Sequence, residues 1–372
     1  LNPLAVFITR TKLEAMRLDP TVLERLASRL IERLRTVASR LRLDRPFSAR
    51  EHRLLAADLR LPNQEYLARW FAPSVLTQLA RVEFEARRLR DPVVANTVRL
   101  VLSDLLRSVS LQDPGDLRIR RRKDAKDNYP AIPRFAELLE RRVRAIASAR
   151  RVLGNIRGVQ EVARADVRVA LGPQLKHLRA QDMFDAVITS PPYATALPYI
   201  DTQRLSLAFL GLASEAELRS LERALIGNRE IGKRERDHDV QLIGSDGGIL
   251  PTRVLRLCRR ALRLLQKGPD GFRRQNTPAL LFRYFKDMAL AFANIRPLVK
   301  PGGRLAFVVG PNRTTLGGRP LTIDTPRLLL EVAEHVGWRR VELVSLDAYQ
   351  RYDVHQRNSI RAETLVILCR PT

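Results

Sequence analysis

The sequence predicts an α/β fold, an open sheet joined to a long all-helical segment. Three observations predict it. After residue 155, short β-type runs alternate with helical patterns, the order that builds a sheet with crossover connections. From residue 21 to about 110, apolar residues instead recur at helical spacing with no β-type run between them. A hydrophobic fraction of 45% is enough to give both parts a core and excludes wholesale disorder.

Residues 4–18 (LAVFITRTKLEAMRL) read as a helix that Asp19-Pro20 stops. Amphipathic helices then succeed one another: VLERLASRLIERLRTVASRL, EYLARWFAPSVLTQLARVEFEARRL and DPVVANTVRLVLSDLLRSV. Their breaks fall at Arg45-Pro46, Leu61-Pro62-Asn63 and Asp91-Pro92, where Pro or an Asx residue favours a turn or a helix start. Residues 113–130 are polar and read as an exposed loop, with Arg118, Arg120, Arg121, Arg122 and Lys123 set around a single Ile. Another Arg-rich helix comes next, at 133–151. The β-type runs are 159–164, 184–189, 304–309, 340–346 and 364–369, and the helical patterns between them are 203–212, 215–226, 251–267, 278–298 and 326–337. Residues 227–250, polar and punctuated by glycine, read as a mobile loop beside the site that the strands build. Gly302-Gly303 reads as a tight turn before a strand.

Composition narrows the function. The chain carries 66 Lys plus Arg against 40 Asp plus Glu, a net charge of +26, so its natural partners are polyanions, nucleic acid first among them. Only eight of the basic residues are Lys, a skew that a GC-rich genome also produces, but codon usage does not explain the excess over acids. Two cysteines far apart, Cys258 and Cys369, give no disulfide framework and fit a reducing, cytoplasmic setting. The five His show no ligand-like spacing, so no metal site is expected. The apolar runs are too short to span a bilayer, and no signal peptide is visible.

The informative stretch is residues 184–204, FDAVITSPPYATALPYIDTQR. A β-run ends at Thr189 and Ser190-Pro191-Pro192-Tyr193 comes directly after it. In open α/β sheets ligands bind beyond the carboxyl ends of strands, so the tetrapeptide stands where a site is expected. Two prolines fix φ and remove two N–H donors, leaving a stiff turn that is rich in acceptors. A Ser hydroxyl and a Pro carbonyl can accept hydrogen bonds from an –NH2 group, and the Tyr ring offers a flat surface for a base. Tyr199, Asp201 and Arg204 come soon after and face either a base or the first helical turn.

Thr189-Ser190-Pro191-Pro192-Tyr193 resembles the catalytic motif of the S-adenosylmethionine-dependent amino-methyltransferases of DNA, which modify cytosine N4 or adenine N6. The likeness extends to Val159–Arg168, similar to the strand that ends in an acidic residue near the cofactor adenine, here Asp166. It extends to Tyr284–Gly310, similar to a helix, a Lys-Pro-Gly-Gly turn and the fifth strand of that fold. Residues 323–337 resemble the next helix, and Arg361–Leu368 the final antiparallel strand. Asn2-Pro3-Leu4-Ala5 resembles the residues just after the family's ribose-binding carboxylate.

The resemblance implies a Rossmann-like methyltransferase sheet carrying a large helical insertion. Residues 1–19 would start the methyltransferase domain, 20–154 would be the insertion and a candidate for target recognition, and 155–372 would complete the domain. The family's glycine-rich loop, the strand before it and the ribose-binding carboxylate would precede Leu1. The chain is therefore expected to be N-terminally truncated, with its first strands missing and its activity in doubt. The resemblance also implies S-adenosyl-L-methionine as cofactor, with Asn2, Pro3 and Asp166 at its site, and double-stranded DNA as substrate. It allows a cognate restriction endonuclease as partner.

Catalysis would then proceed without a covalent intermediate. Ser190 and the Pro191 carbonyl would accept the hydrogens of the target amine and localise its lone pair, while Pro192 stiffens the turn. Tyr193 would stack on a base turned out of the duplex. Ser in the first position favours cytosine N4 over adenine N6 in this family. An RNA base methyltransferase of the guanine-N2 type, which usually carries Asp at that position, is one alternative. A catalytically dead nucleic-acid-binding module is the other.

Overall fold

The structure, a computed structural model, describes residues 2–42, 47–55, 60–113, 120–122, 129–154, 158, 160–169, 183–194, 199–245, 250–266, 271–347 and 362–372. It divides into two compact units, one formed by Asn2–Arg164 with Tyr199–Leu221, the other by Ala165–Pro198 with Glu222–Thr372.

The first unit is helical. Its elements are α1 (Pro3–Ala15), α2 (Pro20–Ala38), α3 (Ala49–Leu55), α4 (Gln64–Ala68), α5 (Pro73–Arg87), α6 (Pro92–Val109) and α7 (Ala131–Leu153), joined by α8 (Tyr199–Phe209) and most of α9 (Glu215–Ala224). Three of these helices start on an Asx-Pro pair. Asn2, Asp19 and Asp91 each accept a main-chain N–H of the first turn, and the proline behind them sits where its missing N–H costs nothing. Helix α6 packs against α1, α5, α7 and α8, with Leu102, Leu106, Leu139 and Phe135 fully buried. Glu83, also fully buried, is neutralised by Arg87 Nε at 2.7 Å and Arg99 Nε at 2.9 Å. Buried Gln78 accepts from Ile132 N at 3.1 Å and donates to Tyr129 O at 2.9 Å, so a side chain of α5 caps the start of α7.

The expected basic loop at 113–130 is only partly described. Residues 120–122 fold back onto the end of α6, where Arg122 N donates to Leu111 O at 2.9 Å and Arg122 Nη2 to Ser108 O at 3.1 Å. Arg118 and Lys123 lie outside the described residues.

The second unit holds the sheet. Its strands are β1 (Phe184–Thr189), β2 (Val299–Val309), β3 (Asn312–Leu316), β4 (Arg319–Ile323), β5 (Arg339–Asp347) and β6 (Ala362–Cys369). Four of them make one sheet in the order β1-β2-β6-β5, while β3 and β4 form a separate hairpin. β1 runs parallel to β2, and β6 is antiparallel to both β2 and β5, as the expected final antiparallel strand requires. Leu305, Phe307 and Val309 alternate inward from β2, and Phe307 stacks on Phe292 with ring centroids 5.4 Å apart. Phe292 belongs to α13 (Thr277–Ile295), a helix with twelve buried positions that packs against α10 (Lys233–Gly244), α11 (Thr252–Leu265) and α14 (Thr325–His335). The short α12 (Phe272–Gln275) precedes it. No helix among the described residues is long and apolar enough to cross a membrane.

The structure corrects three sequence expectations. Residues 160–164 form no strand among the described residues. Side chains hold this stretch instead of a ladder, with Arg10 Nη2 donating to Val162 O at 3.2 Å. Residues 227–250 are not simply a loop, because 233–244 form α10. Gly232 N donates to Glu235 Oε2 at 3.0 Å and caps a helix whose few apolar residues gave little periodicity. Gly302-Gly303 does not precede β2 but lies inside it as an irregularity, with Gly302 at φ 76° and its N–H on Arg370 O. The tight two-glycine turn is elsewhere, at Gly317-Gly318 (φ 53° and 71°), where two left-handed residues close the β3–β4 hairpin.

Candidate active site

β1 is an edge strand whose outer side has no partner among the described residues, and Ile188 on it is 82% exposed. Its last residue, Thr189, pairs with Phe307, so the chain leaves the sheet at Ser190 beside the end of β2. Ser190 is exposed, Pro191 is buried, and Pro192 and Tyr193 are half-buried. Ser190 Oγ donates its single proton to Val308 O at 3.3 Å, which leaves its lone pairs facing away from the sheet.

Two more groups fasten the turn. Tyr284 on α13, 1% exposed, donates its hydroxyl to Pro192 O at 2.7 Å. Tyr193 donates its hydroxyl to Glu363 on β6, so the ring is held at its far end. Among the described residues, neither Ser190 Oγ nor the Pro191 carbonyl receives a hydrogen bond, so both stand on the turn as open acceptors.

Asp166 is held by the same helix at another point. Arg168 forks onto its carboxylate, Nε to Oδ1 at 3.0 Å and Nη2 to Oδ2 at 2.7 Å, and Arg168 N adds a third bond to Oδ1 at 3.0 Å. The remaining Arg168 nitrogen, Nη1, meets Asp287 Oδ2 of α13 at 3.1 Å. Hydrogen bonding to Arg168 lowers the Asp166 pKa below the ordinary 3.8, and the same contact raises that of Arg168. Burial raises the Asp287 pKa, against the pull of Arg168. Asn294 Nδ2, two turns further along α13, donates to Val167 O at 3.1 Å. Helix α13 therefore carries both the Pro-Pro turn, through Tyr284, and the Asp166 segment, through Asp287 and Asn294.

Asn2 and Pro3 belong to the helical unit, whereas Asp166 and the Ser190–Tyr193 turn belong to the sheet unit. Asn2 caps α1 through Oδ1 on Leu4 N at 3.0 Å, and its Nδ2 donates to Gln203 Oε1 at 2.5 Å. Tyr199, Asp201 and Arg204 lie on the first turns of α8, where Arg204 stands 5.8 Å from the centroid of the Tyr66 ring. Cys258 is fully buried and its thiol is pushed up to about 12 by burial, which makes it a packing residue. No group of His, Cys, Asp and Glu among the described residues could hold a metal ion.

Sequence reasoning missed Tyr284, Asp287, Arg168 and Glu363. A signal for two of them is present: Tyr284 and Asp287 stand three residues apart on the buried face of one helix, and polar groups on a buried face need partners.

The class the structure defines is a mixed α/β fold, with a proline-locked, acceptor-bearing turn at the carboxyl end of its edge strand β1. The particular likeness comes from known proteins. The chain is 27% identical over 188 residues to the Type II methyltransferase M.AvaI of Nostoc sp. and to that of Anabaena variabilis, matching 49% of this chain and 37% of theirs. It is 26% identical over 173 residues to the Type II methyltransferase M.BsoBI of Geobacillus stearothermophilus, matching 44% of this chain and 33% of that one. The chain thus spans little more than a third of the length of these relatives. A solved structure from Thermus thermophilus, provisionally named a DNA modification methylase, covers 24% of this chain at 18% identity and a TM-score of 0.20, too low to carry an argument. No protein-family model matches.

Proposed function

We propose that this protein transfers a methyl group to the exocyclic amine of a base turned out of double-stranded DNA, cytosine N4 in preference to adenine N6. One observation carries the reading. The Pro192 carbonyl and the Tyr193 hydroxyl are engaged by Tyr284 and Glu363, while the neighbouring Ser190 Oγ and Pro191 carbonyl receive no hydrogen bond among the described residues. Two acceptors on a stiff turn match the two hydrogens of an –NH2 group. Accepting both localises a lone pair otherwise delocalised into the ring, and that lone pair is the nucleophile. The similarity to Type II methyltransferases supports the reading. A cognate restriction endonuclease as partner and a cytoplasmic setting belong to the same proposal.

S-adenosyl-L-methionine is the methyl donor the reading implies, and it supplies an electrophilic methyl on a sulfonium. The residues assigned to it fit only in part. The Asp166 carboxylate is filled by Arg168, and both polar atoms of Asn2 are engaged within the helical unit. Asp166 would meet the donor only in competition with Arg168. The helical insertion, residues 20–154, remains the candidate for target recognition.

The test is transfer of labelled methyl from S-adenosyl-L-methionine to duplex DNA. Ser190→Ala is expected to lower the rate at least about a hundredfold, the usual loss when one charge-stabilising contact at a reacting atom is removed. Methylation of RNA and not of DNA would overturn the reading in favour of an RNA base methyltransferase.

A further inference from the structure

Helix α11 differs from the other long helices of the molecule in its charge. Its fourteen residues, TRVLRLCRRALRLL, include five Arg and no acid. Helices α2 and α7 are also Arg-rich, but they interleave Glu and pair across to neighbours, as Arg35 does with Glu140 and Arg142 with Asp104. On α11 the apolar side is spent on the core through Val254, Leu255, Cys258, Ala261 and Leu264. Arg259 turns back and donates to Ile243 O on α10 at 3.0 Å.

The other four, Arg253, Arg256, Arg260 and Arg263, are exposed. Their spacing of three, four and three residues puts them within an arc of about 80° at 100° per residue. Arg253 pairs with Glu331 at 2.8 Å, whereas Arg256, Arg260 and Arg263 have no acidic partner among the described residues. Like charges at three- and four-residue spacing repel, so this face is at its best only with an anion laid along it.

The helix also stands in the right place. α11 packs against β3 and β4, the hairpin that begins at Asn312, three residues after β2 ends at Val309. The Ser190 turn hydrogen-bonds to Val308 at that same strand end. The arginine face therefore belongs to the same unit and the same end of the sheet as the turn.

We propose that Arg256, Arg260 and Arg263 form a docking surface for the sugar-phosphate backbone of duplex DNA. This rests on the proposed methyltransferase reading, which makes duplex DNA the substrate. From Arg256 to Arg263 the helix rises about 10 Å, a length over which a duplex presents about six phosphates at one charge per ~1.7 Å. Contacts of this kind set the register of a duplex and are blind to its sequence.

The experiment measures binding of the full chain to a fluorescent duplex of about 30 base pairs by anisotropy, from roughly 50 to 400 mM KCl, the range over which phosphate contacts show their salt dependence. The variants are the triple Arg256→Gln, Arg260→Gln, Arg263→Gln, the triple Arg→Lys at the same positions, and Arg141→Gln with Arg144→Gln on α7. Each phosphate contact contributes about 0.9 to the slope of log affinity against log salt. The Gln triple is expected to keep its melting temperature, lose about 2.7 of that slope, and bind about two to three orders of magnitude more weakly at roughly 100 mM salt. The Lys triple is expected to retain most of the slope. A folded Gln triple with unchanged slope overturns this proposal and leaves the methyltransferase reading standing. So does a loss confined to single-stranded RNA, or a slope that disappears only in the α7 variant. Failure of the unaltered protein to bind any duplex overturns the methyltransferase reading itself, and this proposal with it.

Discussion

Ser190, Pro191, Pro192 and Tyr193 were legible because they are contiguous, and the run of β-type residues before them fixed where they stand in the sheet. The groups that fasten them were not. Tyr284 lies 92 residues from Pro192 and Glu363 lies 170 from Tyr193, and no local pattern links positions so far apart. Replacing Tyr284 by Phe removes the hydroxyl and leaves the Pro192 carbonyl unpaired. The variant is expected to lose about 1 kcal/mol in urea unfolding, the ordinary worth of one such bond, and to slow methyl transfer more than it weakens cofactor binding. An unchanged rate would remove Tyr284 from the positioning of the turn.

Arg168 gives a second prediction, with a sign. Arg168→Gln strips the cation from Asp287, whose pKa burial already raises, and should cost about 3 kcal/mol at neutral pH. A carboxylate with a raised folded pKa binds more protons folded than unfolded. Its penalty is therefore felt above the folded pKa and relieved as pH falls towards the unfolded 3.8. The gap between variant and unaltered protein should shrink on acidification through that window. Asp166 works the other way. Its lowered pKa adds stability above 3.8 that is lost as pH falls through the folded value. Since Arg168 is the chief cause of that lowering, the variant should also show less acid loss below about pH 4. A gap that stays constant from neutral pH down to that point would contradict the cluster.

At the scale of elements, the sequence showed helices and strands wherever periodicity was strong. The segments read at 22–41 and 91–109 stand as α2 and α6, and the runs at 184–189, 340–346 and 364–369 stand as strands, whereas EYLARWFAPSVLTQLARVEFEARRL, read as one helix, is two, α4 and α5, broken ahead of Pro73. It misled where the signal was one of partners. Residues 160–164 have the composition of a strand but no neighbouring strand among the described residues, and composition alone cannot supply a ladder. The β3–β4 hairpin was missed although Gly317-Gly318 spells its turn, because NRTTL and RPLTI are too polar to alternate clearly. Gly303 was read as a turn residue, but its role is closeness. A Cβ there would meet Val299 Cγ1 at 2.7 Å and two main-chain oxygens, of Asp185 and Lys300, at 2.9 Å. The oxygens cannot swing aside, so Gly303→Ala is expected to destabilise by about 1–3 kcal/mol and to loosen β1 against β2. Hydrogen exchange at Ala186–Thr189 would report it, and unchanged protection there would contradict the close approach.

At the scale of the whole molecule, a net charge of +26 fits a polyanion as the partner, and α11 sets four exposed arginines on one face of the sheet unit. The central claim is narrower than nucleic-acid binding. It is that the Ser190–Tyr193 turn activates an exocyclic amine. The most direct measurement digests duplex DNA to nucleosides after reaction with the full chain and isotopically labelled S-adenosyl-L-methionine, then locates the label by mass spectrometry. The prediction is label on the exocyclic amine, as N4-methylcytosine, and its loss in Ser190→Ala. Label on cytosine C5, label that survives Ser190→Ala undiminished, or no label in DNA at all would contradict the claim.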